Sequence, residues 1–418
     1  MQEQELVIRW VESHRGHEAM KRILYLKAGN AVQEYKVLID SGLNKAGGSE
    51  SFLADFLKLV GDNPSLVISL HTVDNHDQKI VGKTLSIHSY SRLAWDWFVA
   101  GKRAGRFLRL IKNSCLIFIR VLRFKPDAVL CWSGSLPCWA CFVGARLTKS
   151  KFIFSRHITF TTDDMSKLKR FMGVMDRLIL NRADAVIAHG PFLLEESIKD
   201  GVPPERITMF DCVFDEKSVW YKKKLYPGSS IRTMLSTKRF NILYVGRIEA
   251  AKGIFDLLTA FTGIMEKHSR TMLYYVGDGN HLPALKKEIS SRRMNSRAKC
   301  LGRIAHDRLP KLMNIGHCLV VPTRIEYPEG RCMAAMEGLI AGLPVVAPDF
   351  GPFPYLIKDR GNGLLFKPDS PKSLKDCLTR LLEDKDLYGQ IRLGAAESGR
   401  KLLENRNGYF ITLKKIIG

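Results

Sequence analysis

Residues 322–349 read PTRIEYPEGRCMAAMEGLIAGLPVVAPD. The apolar run His317–Val321 ends against Pro322, which predicts a strand stopped by a residue without a backbone N–H. A loop follows, then a stretch of helical composition from about Arg331 to Ala341. Gly342 closes that helix and Pro344–Ala347 reads as the next strand. Strand, loop, helix and strand in this order make a βαβ unit, whose two strands must be parallel neighbours or near neighbours in one sheet.

The same alternation extends in both directions. On the N-terminal side lie strands at Phe240–Val245, Met272–Val276 and Lys299–Gly302, and on the C-terminal side one at Gly363–Phe366. An earlier series runs through Tyr35–Asp40, Leu66–Leu70, Ala128–Cys131, Phe152–Phe154 and Ala185–Ala188, with helical stretches between. The fold class is therefore α/β, with two parallel, doubly covered sheets. The 418 residues exceed one ordinary core and suit two domains.

Residues 1–35 read as an N-terminal extension with weak helical character, and 36–225 as a first Rossmann-like domain. Residues 226–238, with Pro227, Gly228 and two serines, read as a linker. Residues 239–395 form a second Rossmann-like domain, and 396–418 a helical segment.

Lys and Arg number 65 against 42 acids, a net charge of +23 that calls for an anionic partner or surface. Nucleic acid, acidic lipid and nucleotide-sugar all qualify on charge alone. Hydrophobic residues at 45% and charged residues at 26% exclude a disordered chain. The longest apolar run, Cys115–Leu122, is short and interrupted by Arg120, so no membrane span is expected; the first residues are too polar for a signal peptide. Of nine cysteines only Cys138 and Cys141 form a CxxC pair, which predicts reduced thiols rather than a zinc site.

Several residues can carry chemistry. Gly246 and Arg247 end the first strand of the second domain, and Lys252 lies in the next turn beside a helix start, where two cations can clamp a diphosphate. Gly277 ends the following strand in a GxG turn. Glu329 precedes the helix of the opening stretch and can accept hydrogen bonds from hydroxyls of a bound sugar. The amides of Gly330, Arg331, Cys332 and Met333 form that helix's N-terminus, which favours a diphosphate. Glu337, eight residues on, can reach a ribose diol. The one DxD, Asp384-Lys385-Asp386, lies in a charged late region and reads as surface.

This ordered set resembles the retaining glycosyltransferases of family 4. The pieces are GRIEAAKG at 246–253, GDG at 277–279, LGRIAHDRLPKLMNIGHCLVVPT at 301–323, EGRCMAAME at 329–337 and AGLPVVA at 341–347. In the first domain they are GGSE at 47–50, KPDAVLCWS at 125–133, the strand ending in Arg156-His157, and RADAVIAHGPFLLEESIKDGVPPERI at 182–207. The resemblance implies the GT-B fold, two facing Rossmann-like domains with a donor cleft between them.

It further implies a metal-independent transfer from a nucleotide-sugar, with UDP preferred over GDP, and no cofactor. The acceptor is expected to be a glycan or lipid-linked molecule of bacterial cell-surface polysaccharide or glycolipid synthesis. Arg247 and Lys252 would bind the pyrophosphate, Glu329 the transferred sugar and Glu337 the ribose. Gly47 and Gly48 would lie near phosphates and acceptor, His157 would face the sugar, and Arg303 and Ile304 would bear on base and sugar specificity. The late segment would return to the first domain. Arg331-Cys332-Met333 replaces the family's small hydrophobic run; Arg331 either touches phosphate or sugar or points to solvent.

Between Lys102 and Lys125 lie eight cations and no acid, with Trp95, Trp97, Phe98 and Phe107 in or beside the run. This pattern over 91–125 predicts contact with an anionic membrane surface and a cytoplasmic, peripheral location. No nucleic-acid motif accompanies the charge. Two competing readings stay open: an epimerase of the same fold, and a basic membrane-binding protein without catalysis.

Overall fold

The computed structural model describes residues 21–26, 66–73, 78–81, 85–90, 104–132, 136–157, 167–211, 239–327, 329–404, 412 and 415–416. They divide into two compact units: Met1–Asp211 with Asn407–Gly418, and Cys212–Arg406.

Among the described residues the first unit holds an eight-stranded sheet: β1 (Lys21–Leu26), β2 (Leu66–Val73), β3 (Gln78–Val81), β4 (Leu85–Tyr90), β5 (Ala128–Trp132), β6 (Lys151–Arg156), β7 (Ala185–His189) and β8 (Ile207–Phe210). Their order is β3-β4-β2-β1-β5-β6-β7-β8, and every pair is parallel except β3 with β4. β5, β6 and β7 lie between neighbours and under helices, so their residues from Val129 to Cys131, Phe152 to Phe154 and Val186 to Ala188 are fully buried.

β1 corrects the reading of residues 1–35 as an extension. It is a central strand, paired from Lys21–Leu66 to Leu26–His71 with β2 and from Ile23–Ala128 to Leu26–Cys131 with β5. Its local signal is weak, because two cations precede only four apolar residues; pairing on both sides supplies what local pattern does not. The strand expected at Tyr35–Asp40 lies outside the described residues.

The second unit has a six-stranded, wholly parallel sheet: β9 (Phe240–Val245), β10 (Thr271–Val276), β11 (Ala298–Gly302), β12 (Cys318–Val320), β13 (Val345–Pro348) and β14 (Gly363–Phe366). The order is β11-β10-β9-β12-β13-β14. In β9, Ile242 and Tyr244 enter a core with Leu258, Phe261 and Leu378, while Leu243 enters another with Met336 and Leu339. Strand side chains alternate with a period of two, so one strand feeds both cores.

The boundary read at 396 falls inside the helix Lys385–Glu404. That helix stays with the second unit because Ala395 is buried in its core with Leu339. The return to the first unit begins at Asn407, and there the Lys151 ammonium donates to the carbonyl of Ile416 at 2.6 Å. The linker read at 226–238 lies outside the described residues.

Candidate functional site at the strand ends of the second unit

The C-terminal ends of β9, β10 and β11 are laced together by their backbones. Gly246 N donates to Val276 O at 3.0 Å, Ile248 N to Asp278 O at 2.9 Å, and Gly277 N to Gly302 O at 2.9 Å. Gly277 has φ 140°, and a Cβ there would stand 1.8 Å from the Gly246 carbonyl oxygen. Only glycine fits this crossing. The Tyr244 hydroxyl donates to Arg247 O at 2.5 Å and fixes the turn that presents Arg247.

After Arg247 the chain makes a 3-10 turn, Ala250–Lys252, and enters the helix Ile254–Met265 through Gly253 at φ 71°. A Cβ at Gly253 would lie 1.7 Å from the carbonyl oxygen of Pro322, so this turn and the end of β12 are in direct contact. The contact is reinforced from the other side: Arg324 N donates to Ala251 O at 3.0 Å and Arg324 Nη1 pairs with Asp256 at 3.0 Å. The loop carrying Glu329 is thereby pinned to the turn carrying Lys252.

The Lys252 ammonium lies 2.5 Å from Glu329 Oε2, with 15% and 12% of the two side chains exposed. Burial works against the charge on Lys252, but the Glu329 carboxylate outweighs it and the pKa ends above the ordinary lysine value. Lys252 is thus cationic at neutral pH. Both cations also meet Tyr327. Its ring centroid is 3.9 Å from Lys252 Nζ and 5.6 Å from the Arg247 guanidinium carbon, and Arg247 Nη2 donates to its hydroxyl. Arg247 is the more exposed cation and pairs with Glu249 at 2.9 Å.

The expected helix over 331–341 is observed as Met333–Ile340, with Cys332 at its N-cap and no side chain capping it. Backbone amides at a helix start are groups an anion can engage. The Cys332 side chain points into the core, where burial first and then the nearby Glu329 charge push its thiol up to about 12. It can serve a ligand only through its backbone. Gly330 is buried, and Arg331 and Met333 are half-buried. Glu337, inside the helix and buried, receives His306 Nε2 at 3.0 Å from its Oε1. His306 follows Arg303 (exposed) and Ile304 (half-buried) on the loop after β11.

His157 belongs to the first unit. It follows β6, is buried, and its Nε2 sits 2.8 Å from the Ser155 hydroxyl. It meets His189 and Phe210, at the ends of β7 and β8, edge-on at 5.6 and 5.7 Å; those two rings stack at 4.4 Å. His157 is thus one of three rings clustered at neighbouring strand ends. Gly47 and Gly48 lie outside the described residues. Asp384 of the DxD acts locally, its carboxylate accepting from Leu387 N at 2.9 Å at the start of the helix 385–404.

Among the described residues the structure therefore gathers Gly246, Arg247, Lys252, Gly277, Glu329 and the 330–333 amides at one strand-end face. Tyr327 and His306 were not anticipated. Tyr327 had one available signal, an aromatic residue two positions before Glu329 in a loop. His306 had none, since its partner lies 31 residues away.

Fold and site define the class: a two-unit Rossmann-like α/β chain whose acids, cations and amides meet at the C-terminal ends of parallel strands, where such sheets take their ligands. Two family models match, glycosyl transferases group 1 over residues 231–398 and the glycosyl transferase 4-like domain over 81–212. The chain belongs to the glycosyltransferases of this family 4-like type, with the GT-B fold.

Alpha-D-kanosaminyltransferase of Streptomyces kanamyceticus is 29% identical over 155 residues, 37% of this chain and 39% of that one. Lipopolysaccharide 1,2-N-acetylglucosaminetransferase of Salmonella typhimurium is 30% identical over 155 residues, 35% and 40% of the two chains. The match thus spans well under half the length of these curated relatives. In fold, the chain is similar to HepE from Anabaena in complex with UDP and glucose (TM-score 0.65, 18% identity, 95% and 98% of the chains covered). It is also similar to sucrose-phosphate synthase from Thermosynechococcus elongatus (TM-score 0.67, 16% identity, 95% and 97% covered).

Proposed function

We propose that this chain transfers a sugar, with retention at the anomeric carbon, from a UDP-linked donor to a glycan or lipid-linked acceptor at the inner face of the cytoplasmic membrane. The observation that carries the reading is the buried Lys252–Glu329 pair, set beside Arg247 and the start of the helix 333–340. One strand-end face then offers cations and amides to a diphosphate and a carboxylate to sugar hydroxyls.

In the reaction, the acceptor oxygen forms a bond to the anomeric carbon on the face the diphosphate leaves. The bond from that carbon to the phosphate oxygen breaks, its electrons stay with the diphosphate, and the acceptor proton passes to a phosphate oxygen. Arg247, Lys252 and the amides stabilise the charge that develops there. Two cations and a helix terminus occupy the role a divalent metal plays elsewhere, so the transfer is metal-independent. Glu329 orients the sugar, and Glu337, held by His306, accepts hydrogen bonds from the ribose diol.

UDP is the carrier that HepE holds in its complex with glucose, which supports the same carrier here. The lipopolysaccharide-directed relative supports a cell-surface glycan or lipid-linked acceptor. No helix among the described residues is long and apolar enough to cross a membrane.

The test is incubation with UDP- and GDP-sugars, read by mass spectrometry, with a nucleotide thermal shift alongside. Hydrolysis or transfer from a UDP-sugar is expected, unaffected by EDTA and reduced roughly hundredfold or more by Glu329→Gln. Absence of turnover and of any thermal shift with every nucleotide refutes the reading. Wild-type rates from Glu329→Gln refute the site.

A further inference from the structure

The helix Ala104–Phe124 packs against the helix Leu136–Thr148 with its polarity reversed over part of its length. Asn113 and Ser114 are buried together with Ile117, Val121 and Phe124, the i, i+3, i+4 stripe that faces inward. On the outside stand Ile111, Leu116 and Ile119, exposed by 38%, 36% and 43%, with the exposed Cys115 among them. Single exposed aliphatic residues are ordinary on a wet surface, whereas several on one helix side are not.

Neighbouring helices continue the pattern. Leu136–Thr148 exposes Val143 and Leu147, the latter by 64%, beside the exposed Arg146. Lys167–Arg182 exposes Val174 and Leu178 beside Arg177. The three helices adjoin: Gly144 lies against Val121, and Arg146 reaches Asp184 at 3.1 Å just beyond the third helix. Seven of the eleven exposed large aliphatic or aromatic residues among the described ones fall on these three helices, so the exposure is concentrated rather than scattered.

The charge on this face selects the occupant. The half-buried Lys112 and the exposed Arg123 stand on the side of Ile111, Leu116 and Ile119, the exposed Lys125 follows, and the helix sequence contains no acid. A second copy of the same face would bring like charges together. A bilayer rich in anionic headgroups meets both halves of the pattern, its phosphates taking the cations and its acyl boundary the aliphatic residues.

We infer that the outward face of helices 104–124, 136–148 and 167–182, centred on Ile111, Leu116 and Ile119, docks this chain on an anionic lipid bilayer. The aromatic residues that the sequence placed in this role, Trp95, Trp97, Phe98 and Phe107, lie outside the residues whose side chains are described; the docking surface is built from aliphatic side chains and cations. It gives a physical basis to the membrane-associated acceptor proposed above, yet it stands without the donor chemistry, because its test needs no turnover.

The experiment is flotation of the full chain with vesicles of phosphatidylcholine alone and with added phosphatidylglycerol. Binding to the anionic vesicles only is expected, weakening with salt. The triple variant Ile111→Ser, Leu116→Ser, Ile119→Ser changes exposed positions, and it lowers partitioning roughly tenfold or more while leaving the melting temperature and the UDP thermal shift of wild type. The pair Lys112→Gln, Arg123→Gln also loses about tenfold or more through charge alone. Failure of wild type to float with anionic vesicles overturns the inference, as does undiminished flotation of the triple variant. So does a lipid-free dimer that the triple variant abolishes. A lost UDP shift with flotation intact would instead count against the proposed donor site.

Discussion

Replacing Lys252 by methionine removes the ammonium 2.5 Å from Glu329 and leaves a carboxylate that is only 12% exposed. Breaking a fully buried ion pair from one side costs about 3–5 kcal/mol. Here both side chains keep a little exposure, so a cost of about 2–3 kcal/mol follows for the second unit. Adding Glu329→Gln removes the stranded charge. The double variant should recover about 1–2 kcal/mol relative to Lys252→Met, although both variants lose donor chemistry.

The measurement must report on the second unit alone. Five of the six tryptophans precede Cys212 and belong to the first unit, so tryptophan fluorescence reports mainly there. Hydrogen exchange of peptides spanning β9 and β12, read by mass spectrometry across a urea series, isolates the unit that holds the pair. The pH dependence has a definite sign. The Lys252 pKa is raised in the folded chain, so its contribution is complete below the unfolded lysine value of about 10.4 and disappears as pH rises through the higher folded one. The gap between wild type and Lys252→Met should therefore be flat between about pH 7 and 9 and narrow only in strong alkali. If the single and double variants are equally destabilised, Glu329 does not depend on Lys252 and the account of the site fails.

Three further outcomes follow from the geometry. His306→Ala frees Glu337 from its 3.0 Å partner, and should raise the donor KM by about tenfold with kcat nearly unchanged; a fall in kcat alone would count against a positioning role. Gly277→Ala forces a Cβ to within 1.8 Å of a backbone oxygen, so thermal melting should show loss of the second unit's cooperative transition, and a change within experimental error would refute the crossing. Asp176, which accepts from Trp139, is pushed up to about 6, chiefly by burial against that opposing hydrogen bond. An acid whose folded pKa is raised costs stability as pH climbs from about 4 to 6, so Asp176→Asn should stabilise by about 1–2 kcal/mol at pH 8 and be neutral below about pH 4, read by denaturant titration.

Much of the second unit was legible because its local signals agree. Phe240–Val245 and Gly363–Phe366 match the expected strands residue for residue, each a short apolar run bounded by glycine or polar residues. The spacing of eight between Glu329 and Glu337 placed one acid before a helix and the other within it, as observed. What failed depends on distant partners. β1 becomes a strand only by pairing with residues about 45 and 105 positions away. β3 and β4 form an antiparallel pair at the sheet edge, where a four-residue run such as Gln78–Val81 gives little pattern to read. Tyr327 and His306 gain meaning only when the fold brings Lys252 and Glu337 to them. Cys332 entered the reading through its amide alone, and its thiol fills the core.

The return of Asn407–Gly418 to the first unit has a consequence for how such chains can be recombined. The chain crosses between units twice, near residue 211 and again near 406, so one junction does not separate them. A hybrid that joins the first 211 residues to another member's second half, tail included, would lose the native acceptor of the Lys151 ammonium. Exchange of the first unit between relatives, in evolution or at the bench, must transplant the last dozen residues along with the first half, as one inheritance in two pieces.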